Sequence, residues 1–397
     1  MRIRKRFGLL VFLGFSVTFA TATFAAQPKA KTSAKRQTAA ASAKAKAAPA
    51  KAAPTTVAKK ATPKKRPRRV YSPWNEPTFA DSTAGDDISG EDLTVRRAAV
   101  QALGPYNGSV VAVDPLTGRI LTMVNQKVAF QSGFQPCSTV KLPVAVAGLI
   151  EGVIERDTPV RVQGTTRLTL TEALARSNNP FFAMLGTKLG FARFSYYARL
   201  LGLGEKAGLG IDGERPGAFP QAPPAGTPVG LMTSFGTGIS LTPLQLAAML
   251  SAFSNGGTLY YLQYPRSLEE VRDFRPRVKR QLAIGQWVAD IKPGMMAAVE
   301  YGTARRANYD PAEPVFGKTG TCTDNRTHLG WFGSFNLVGR NPLVVVVLLT
   351  GGRGVSGPAA AEIAGNMYKR LSQESFFAGV RDLSPTALAS VASCCTQ

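Results

Sequence analysis

The chain has 397 residues, enough for one large domain or two modest ones, and 44% of them are hydrophobic, enough for a real core. The formal charge of +23 would suit a nucleic-acid binder, but residues 1–69 hold 18 of the 48 Lys and Arg and no Asp or Glu. The remainder carries 30 basic against 25 acidic residues, only +5, so the extreme charge belongs to a leader and a tail and not to the folded part. Four cysteines are too few for a disulfide-built scaffold in a chain of this size.

Residues 1–26 have the grammar of an export signal. "MRIRKR" is a basic start, and the next 20 residues, "FGLLVFLGFSVTFATATFAA", carry no charge. Ala20-Thr21-Ala22 and Thr23-Phe24-Ala25 each offer a small-residue cleavage site. Uncut, the run is long enough to cross a bilayer, with the basic residues staying cytoplasmic. The chain is therefore expected to be exported, to the periplasm or the outer face of the cytoplasmic membrane, either cleaved or anchored. DNA binding does not fit an exported protein. Residues 27–70 are Ala, Lys, Pro and Thr without apolar periodicity, and cannot bury enough surface to offset ordering entropy. They read as an extended, disordered spacer within a linker and lead-in spanning 27–90, with contact to anionic envelope polymers or lipid headgroups as the sharper reading.

Order is expected from about residue 91, in a domain running to 375, before a tail at 376–397. "LTVRRAAVQALG" reads as a short amphipathic helix. "GSVVAVD" and "RILTMVN" are β-rich runs joined through Pro115, Leu116, Thr117 and Gly118, a hairpin. A mostly helical region follows, about 138–300. In it Thr169 and Glu172 are spaced as a capping box, and "TPLQLAAMLSAFSNGG" is a helix with Pro243 near its start and Asn255-Gly256 at its end. Strand-like runs return late as "PVFGKTGT", "HLGWFGSFN" and "PLVVVVLLT", and "AAAEIAGNMYKRL" closes the domain as a helix. The expected fold class is α/β (α+β): one five-stranded antiparallel sheet, two strands before the insert and three after it, flanked by helices, with an all-helical lobe inserted.

Three short segments could carry chemistry. Ser138 and Lys141, in "PCSTVK", stand on one face if helical. A serine hydroxyl needs a neighbour to take its proton, and a lysine does so if desolvation or nearby positive charge lowers its pKa. In isolation the pair is any serine and lysine on a helix, but no other S-x-x-K occurs in the chain. Ser177-Asn178-Asn179 ends a capped helix: a helix-terminating turn on the plain reading, a proton relay and an amide for a substrate peptide on the sharper one. Lys318-Thr319-Gly320-Thr321 puts a cation and two hydroxyls on a strand, a pocket for a carboxylate. Gly320 allows close approach of a substrate backbone. The plain reading there is an edge strand guarded by a lysine. Ser334-Phe335-Asn336 also fits S-x-N but falls at the end of a strand and is a decoy. His328, the only histidine, reads as structural, and neither a zinc-like Cys/His spacing nor a phosphate-binding glycine loop occurs, so no metal or cofactor is implied.

The ordered set S-x-x-K, S-x-N, K-T-G is that of penicillin-binding proteins and class A β-lactamases. From about 105 to 372 the chain resembles the penicillin-binding transpeptidase domain, in "VVAVDPLTGRILTMV", "LTLTEALARSNNPFFAMLG", "GTGISLTPLQLAAMLSAFSNGGTLY", "VEYGTA", "FGKTGT" and "WFGSF". The resemblance implies a β-lactamase/transpeptidase-like fold. It implies Ser138 as nucleophile on D-Ala–D-Ala stem peptides of peptidoglycan, Lys141 as general base and Ser177 as proton shuttle. Asn179 would hold the donor peptide, Lys318, Thr319 and Thr321 the terminal carboxylate, and the backbone N–H groups of Ser138 and Thr321 the oxyanion. β-Lactams would acylate the same serine. If those two N–H groups share an oxyanion, their neighbours Cys137 and Cys322 are close enough for a disulfide, a placement that looks like the active-site disulfide of class A carbapenemases. Free thiols are the alternative. The usual penicillin-binding protein has glycine at the position of Cys137. The roles of Cys394 and Cys395 are unreadable. Typical class B enzymes carry a large domain ahead of this unit, whereas about 35 residues separate linker and hairpin here, the look of a stand-alone catalytic unit. The motifs leave a D,D-carboxypeptidase, a serine β-lactamase or a non-turnover β-lactam or muropeptide sensor as rivals to a transpeptidase. Glu214 lies 37 residues after Ser177, near the interval of a deacylating glutamate, but its context "GERPGAF" lacks the E-x-x-L-N pattern.

Overall fold

The computed structural model describes residues 74–378 apart from 132 and 309. The export segment, most of the linker and the tail with Cys394 and Cys395 lie outside the described residues.

Helix α1 (Leu93–Leu103) starts at Asp92, whose carboxylate accepts from the Thr94 and Val95 N–H groups. Strands β1 (Gly108–Val113) and β2 (Ile120–Val124) form the expected hairpin, its turn closed by Gly118 N–H on the Asp114 carbonyl with Gly118 at φ +77°. The chain then leaves the sheet. The insert holds α2 (Gln126–Ala129), a 3₁₀ turn (Cys137–Val140), α3 (Lys141–Ile150), β3 (Val160–Gln163), β4 (Thr166–Leu168), α4 (Leu170–Ala175), α5 (Asn179–Leu200), α6 (Val229–Phe235), α7 (Pro243–Ser254), β5 (Thr258–Tyr260), α8 (Leu268–Arg272), β6 (Val278–Gln281) and α9 (Gly285–Glu300). The chain returns in β7 (Val315–Asp324), β8 (Thr327–Asn336) and β9 (Val344–Gly351) and closes with α10 (Gly357–Gln373).

The sheet order is β2-β1-β9-β8-β7, antiparallel throughout, as expected from the split strand runs. Central β9 explains its unbroken apolar run. Val344, Val346 and Leu348 face the core shared with the insert, while Val345, Val347 and Leu349 face the core under α1 and α10. Helix α7 covers the insert side and is buried along its whole length. Its capping box, Thr242 with Gln245, and that of α4, Thr169 with Glu172, are both formed. Gly333 on β8 lets α7 approach, since a Cβ there would stand 2.7 Å from Leu250 Cδ1. Strand β7 is left at the sheet edge, alongside the 3₁₀ turn.

Two expectations need correction. The insert is not all helical: β3 pairs with β4 and β5 with β6 in two small ribbons. Runs of three or four residues are too short to show alternation against a helical background. Order also begins before residue 91 and extends past 375. The Trp74 ring lies tilted against His328 with centroids 4.2 Å apart, Asn75 N–H donates to the Arg326 carbonyl, and Thr78 Oγ1 accepts from Gly352 N–H. Asp86 pairs with Arg96 at 2.8 Å, and Phe377 is buried. The lead-in is held largely by polar side chains on backbone groups, which leave no apolar period to read.

Candidate active site

The 3₁₀ turn of Cys137–Val140 carries Ser138 half-buried at its rim, and Lys141 follows as the first residue of α3. Cys137 sits at φ +51°, the left-handed region that glycine adopts freely and other residues enter at a cost of about 1–2 kcal/mol. The turn is braced from outside: Trp331 Nε1 donates to the Gln135 carbonyl at 3.0 Å, and Gln135 Nε2 donates to the Phe235 carbonyl at 2.9 Å. Neither brace was apparent from sequence, because Gln135 and Trp331 lie far apart along the chain.

Ser177 occupies the tight turn between α4 and α5, at φ +52°. Asn178 caps α5 through Phe181 N–H at 2.8 Å, with Pro180 in the first turn. The plain reading of the segment as a helix terminus is therefore correct, and it is also what aims its side chains. Lys141 Nζ donates to the Ser177 carbonyl at 2.7 Å and to Asn179 Oδ1 at 2.5 Å, and lies 3.1 Å from Ser177 Oγ and 3.0 Å from Ser138 Oγ. From the opposite wall, Lys318 Nζ on β7 donates to Ser177 Oγ at 2.8 Å and to the Thr319 carbonyl at 3.0 Å. The three segments thus converge on the hydroxyls of Ser138 and Ser177.

Both amines are fully buried. Burial, with the Lys318 charge beside it, pushes Lys141 down to about 6, and burial pushes Lys318 down to about 7. Among the described residues, none of the hydrogen bonds or ion pairs of these lysines reaches a carboxylate. The Lys141 amine instead stands 5.5 Å over the Phe182 ring.

Alternation along β7 puts Lys318 and Gly320 on one side of the strand and Thr319 and Thr321 on the other. Thr319 is buried with its Oγ1 2.7 Å from Thr303 Oγ1. Thr321 is exposed, and its Oγ1 accepts from Gly357 N–H at 2.8 Å at the start of α10, leaving its own proton to give. Thr303 and Gly357 were not singled out from sequence, although Thr303 stands in "VEYGTA". Gly320 faces the nucleophile turn, where a Cβ would meet the Pro136 carbonyl oxygen at 2.9 Å and Cys137 Cβ at 3.3 Å. Cys137 and Cys322 are joined by a disulfide, with Cα atoms 5.6 Å apart, so β7 is covalently tied to the turn carrying Ser138.

Other candidates fall outside this cluster. Glu214 is buried with its oxygens on the Ala207 and Gly208 N–H groups at 2.8 to 3.1 Å, and burial raises its carboxyl. Ser334 Oγ donates to the Val345 carbonyl and Asn336 Oδ1 accepts from Leu343 N–H, both within the sheet. His328 bonds Thr323 and packs tilted against the Trp74 ring. Among the described residues there is no group of three or more His, Cys, Asp or Glu able to hold a metal ion.

Comparison with known proteins adds a sequence family, described as the penicillin binding protein transpeptidase domain, which matches residues 108–369. Stage V sporulation protein D of Bacillus subtilis is 29% identical over 310 residues, covering 68% of this chain and 48% of that protein. Peptidoglycan D,D-transpeptidase FtsI of Escherichia coli K12 is 32% identical over 182 residues, covering 38% of this chain and 31% of that one. The chain thus spans less than half the length of either relative. Pseudomonas aeruginosa PBP2, solved in complex with WCK 5153, superposes with a TM-score of 0.63 at 23% identity, over 74% of this chain and 77% of that one. At that identity the superposition speaks for the fold alone.

Proposed function

The chain belongs to the penicillin-binding protein transpeptidase domain family, and on that premise we propose that it is a D,D-transpeptidase that crosslinks peptidoglycan stem peptides through a Ser138 acyl-enzyme. The observation that carries this reading is the Lys141 amine, 3.0 Å from Ser138 Oγ, buried and pushed down to about 6. A neutral amine gives its two protons to the Ser177 carbonyl and Asn179 Oδ1 and keeps its lone pair for the Ser138 hydroxyl.

Lys141 takes the Ser138 proton as Oγ attacks the penultimate D-Ala carbonyl. The backbone N–H groups of Ser138 and Thr321 receive the oxyanion; the disulfide and the missing Cβ of Gly320 keep these two backbones adjacent. The C–N bond breaks, and the proton passes from Lys141 through Ser177 Oγ, 3.1 Å away, to the departing D-Ala amine. Lys318, Thr319 and Thr321 hold the terminal carboxylate, and the Asn179 amide NH₂ holds the donor peptide. The amine of a second stem peptide then attacks the Ser138 ester, forms the crosslink and frees the serine. β-Lactams acylate the same oxygen. A hydrolytic β-lactamase needs a base for water, and Glu214 is committed to backbone N–H groups.

The acting site of the enzyme is outside the cytoplasm, reached through the export segment of residues 1–26. The basic spacer favours retention against anionic polymer, so deleting residues 27–70 should release the protein from the envelope while leaving acylation in solution unchanged. The decisive experiment is mass spectrometry of the full chain with penicillin over time. A long-lived adduct on Ser138 is expected. No adduct overturns the reading, and rapid turnover makes the protein a hydrolase.

A further inference from the structure

Gly302 and Thr303 are wedged between the two walls of the cleft. On one side lies Ala175, two residues before Ser177. The Thr303 N–H donates to the Ala175 carbonyl at 3.0 Å, and a Cβ on Gly302 would stand 2.2 Å from that same oxygen. On the other side lies β7, where Thr303 Oγ1 meets Thr319 Oγ1 at 2.7 Å. One residue therefore holds the turn bearing Ser177 with its backbone and the strand bearing Lys318 with its side chain.

Following from the proposed acyl transfer, we propose that Thr303 is a positioning residue that sets the span between Ser177 and Lys318 and fixes the hydroxyl of Thr319 for the substrate carboxylate. The Lys318–Ser177 contact of 2.8 Å joins an edge strand to a turn through two side chains. Without the Thr303 hydroxyl, the backbone link to Ala175 survives but its connection to β7 is lost. The strand keeps its pairing with β8 and its bridge to the Ser138 turn but loses this tie toward the Ser177 turn, and a shift of about 1 Å at a reacting group costs up to about a hundredfold in rate. Thr319, buried beside Thr303, would also lose the partner that orients its proton.

The test compares Thr303→Val, Thr303→Ala and Thr303→Ser in the full chain, reading the second-order rate of acylation by a fluorescent penicillin between pH 5 and 9, with thermal unfolding alongside. Thr303→Val removes the hydroxyl at constant volume, and Thr303→Ala does so without a branched side chain should valine disturb folding. Both are expected to acylate about ten- to a hundredfold more slowly, with the acid limb of the pH profile moved upward as Lys318 withdraws from Lys141. Thr303→Ser, which keeps the hydroxyl, should return to within about threefold of the unsubstituted protein. The inference is overturned if valine and alanine acylate at the unsubstituted rate and pH profile. It is equally overturned if serine is as damaged as both, or if the rate falls only in step with lost folded protein and the profile stays put. Failure of the unsubstituted chain to acylate would overturn the proposed function and this inference with it. Normal acylation there with unaffected variants would overturn this inference alone.

Discussion

Replacing Lys318 by methionine removes a buried cation while keeping most of its volume, and should move the pH at which Ser138 becomes reactive. Lys141 and Lys318 both reach Ser177 Oγ, at 3.1 and 2.8 Å, so their nitrogens are no more than about 6 Å apart. At an effective dielectric of about 20, two unit charges at that distance repel by about 3 kcal/mol, or about 2 pH units. Lys318, pushed down to about 7, is still charged where Lys141 titrates, at about 6, so the repulsion acts there. The acid limb of acylation should therefore lie near pH 6 in the unsubstituted protein and climb toward pH 8 in Lys318→Met. Lys318→Arg retains the charge and should leave the limb near its original place, although both variants lose rate through the carboxylate site. The assay is the second-order rate with fluorescent penicillin from pH 5 to 9. A limb that stays put or moves downward in Lys318→Met would refute the assignment of Lys141 as the base whose proton affinity Lys318 depresses.

Stability should carry the same signature. Both lysines fall from 10.5 in the unfolded chain to about 6 and 7 in the fold, so between those values the unfolded state binds more protons and stability rises as pH increases. Each adds about 1.4 kcal/mol per pH unit across pH 8 to 10, and in urea melts of Lys318→Met the rise of stability with pH should be smaller by about that amount between about pH 9 and 10, above the raised titration of Lys141. Reducing the Cys137–Cys322 bond frees a 185-residue loop, with an upper loss of about 5 kcal/mol, visible as a lower melting temperature with reductant than without. Gly320→Val places side-chain carbon against the Pro136 carbonyl oxygen and should slow acylation about tenfold or more in the same fluorescence assay. Glu214→Gln should cost about 1–3 kcal/mol in a denaturant melt, yet leave the lifetime of the penicillin adduct unchanged by mass spectrometry.

Much of this was legible from residue order. The split of the strand runs around a helical stretch pointed to one sheet, and "PLVVVVLLT", read as strand-like, is the strand between β1 and β8. Ser138, Ser177 and Lys318 stood out because their ordered motifs resemble those of the penicillin-binding transpeptidase domain, and the fold brings the three side chains together. What escaped was held by groups without a local pattern. Thr303 works through one backbone N–H and one hydroxyl, and Trp74 through a ring tilted against His328 from 254 positions away. The ribbons β3-β4 and β5-β6 are too short for their period to rise above the surrounding helices. The burial that depresses both lysines is a property of the closed fold and cannot be read from the spacing of Ser138 and Lys141.

The cystine bridge also changes how the molecule responds to tension. It fastens a point just ahead of α3 to a point on β7, and 185 positions separate the two. Pulled from its ends, the oxidised chain transmits load through the bridge and around the helical lobe. Roughly 600 Å of contour length stays out of reach until sulfur is reduced. A protease that cuts once inside the lobe releases nothing, because both pieces remain one covalent molecule.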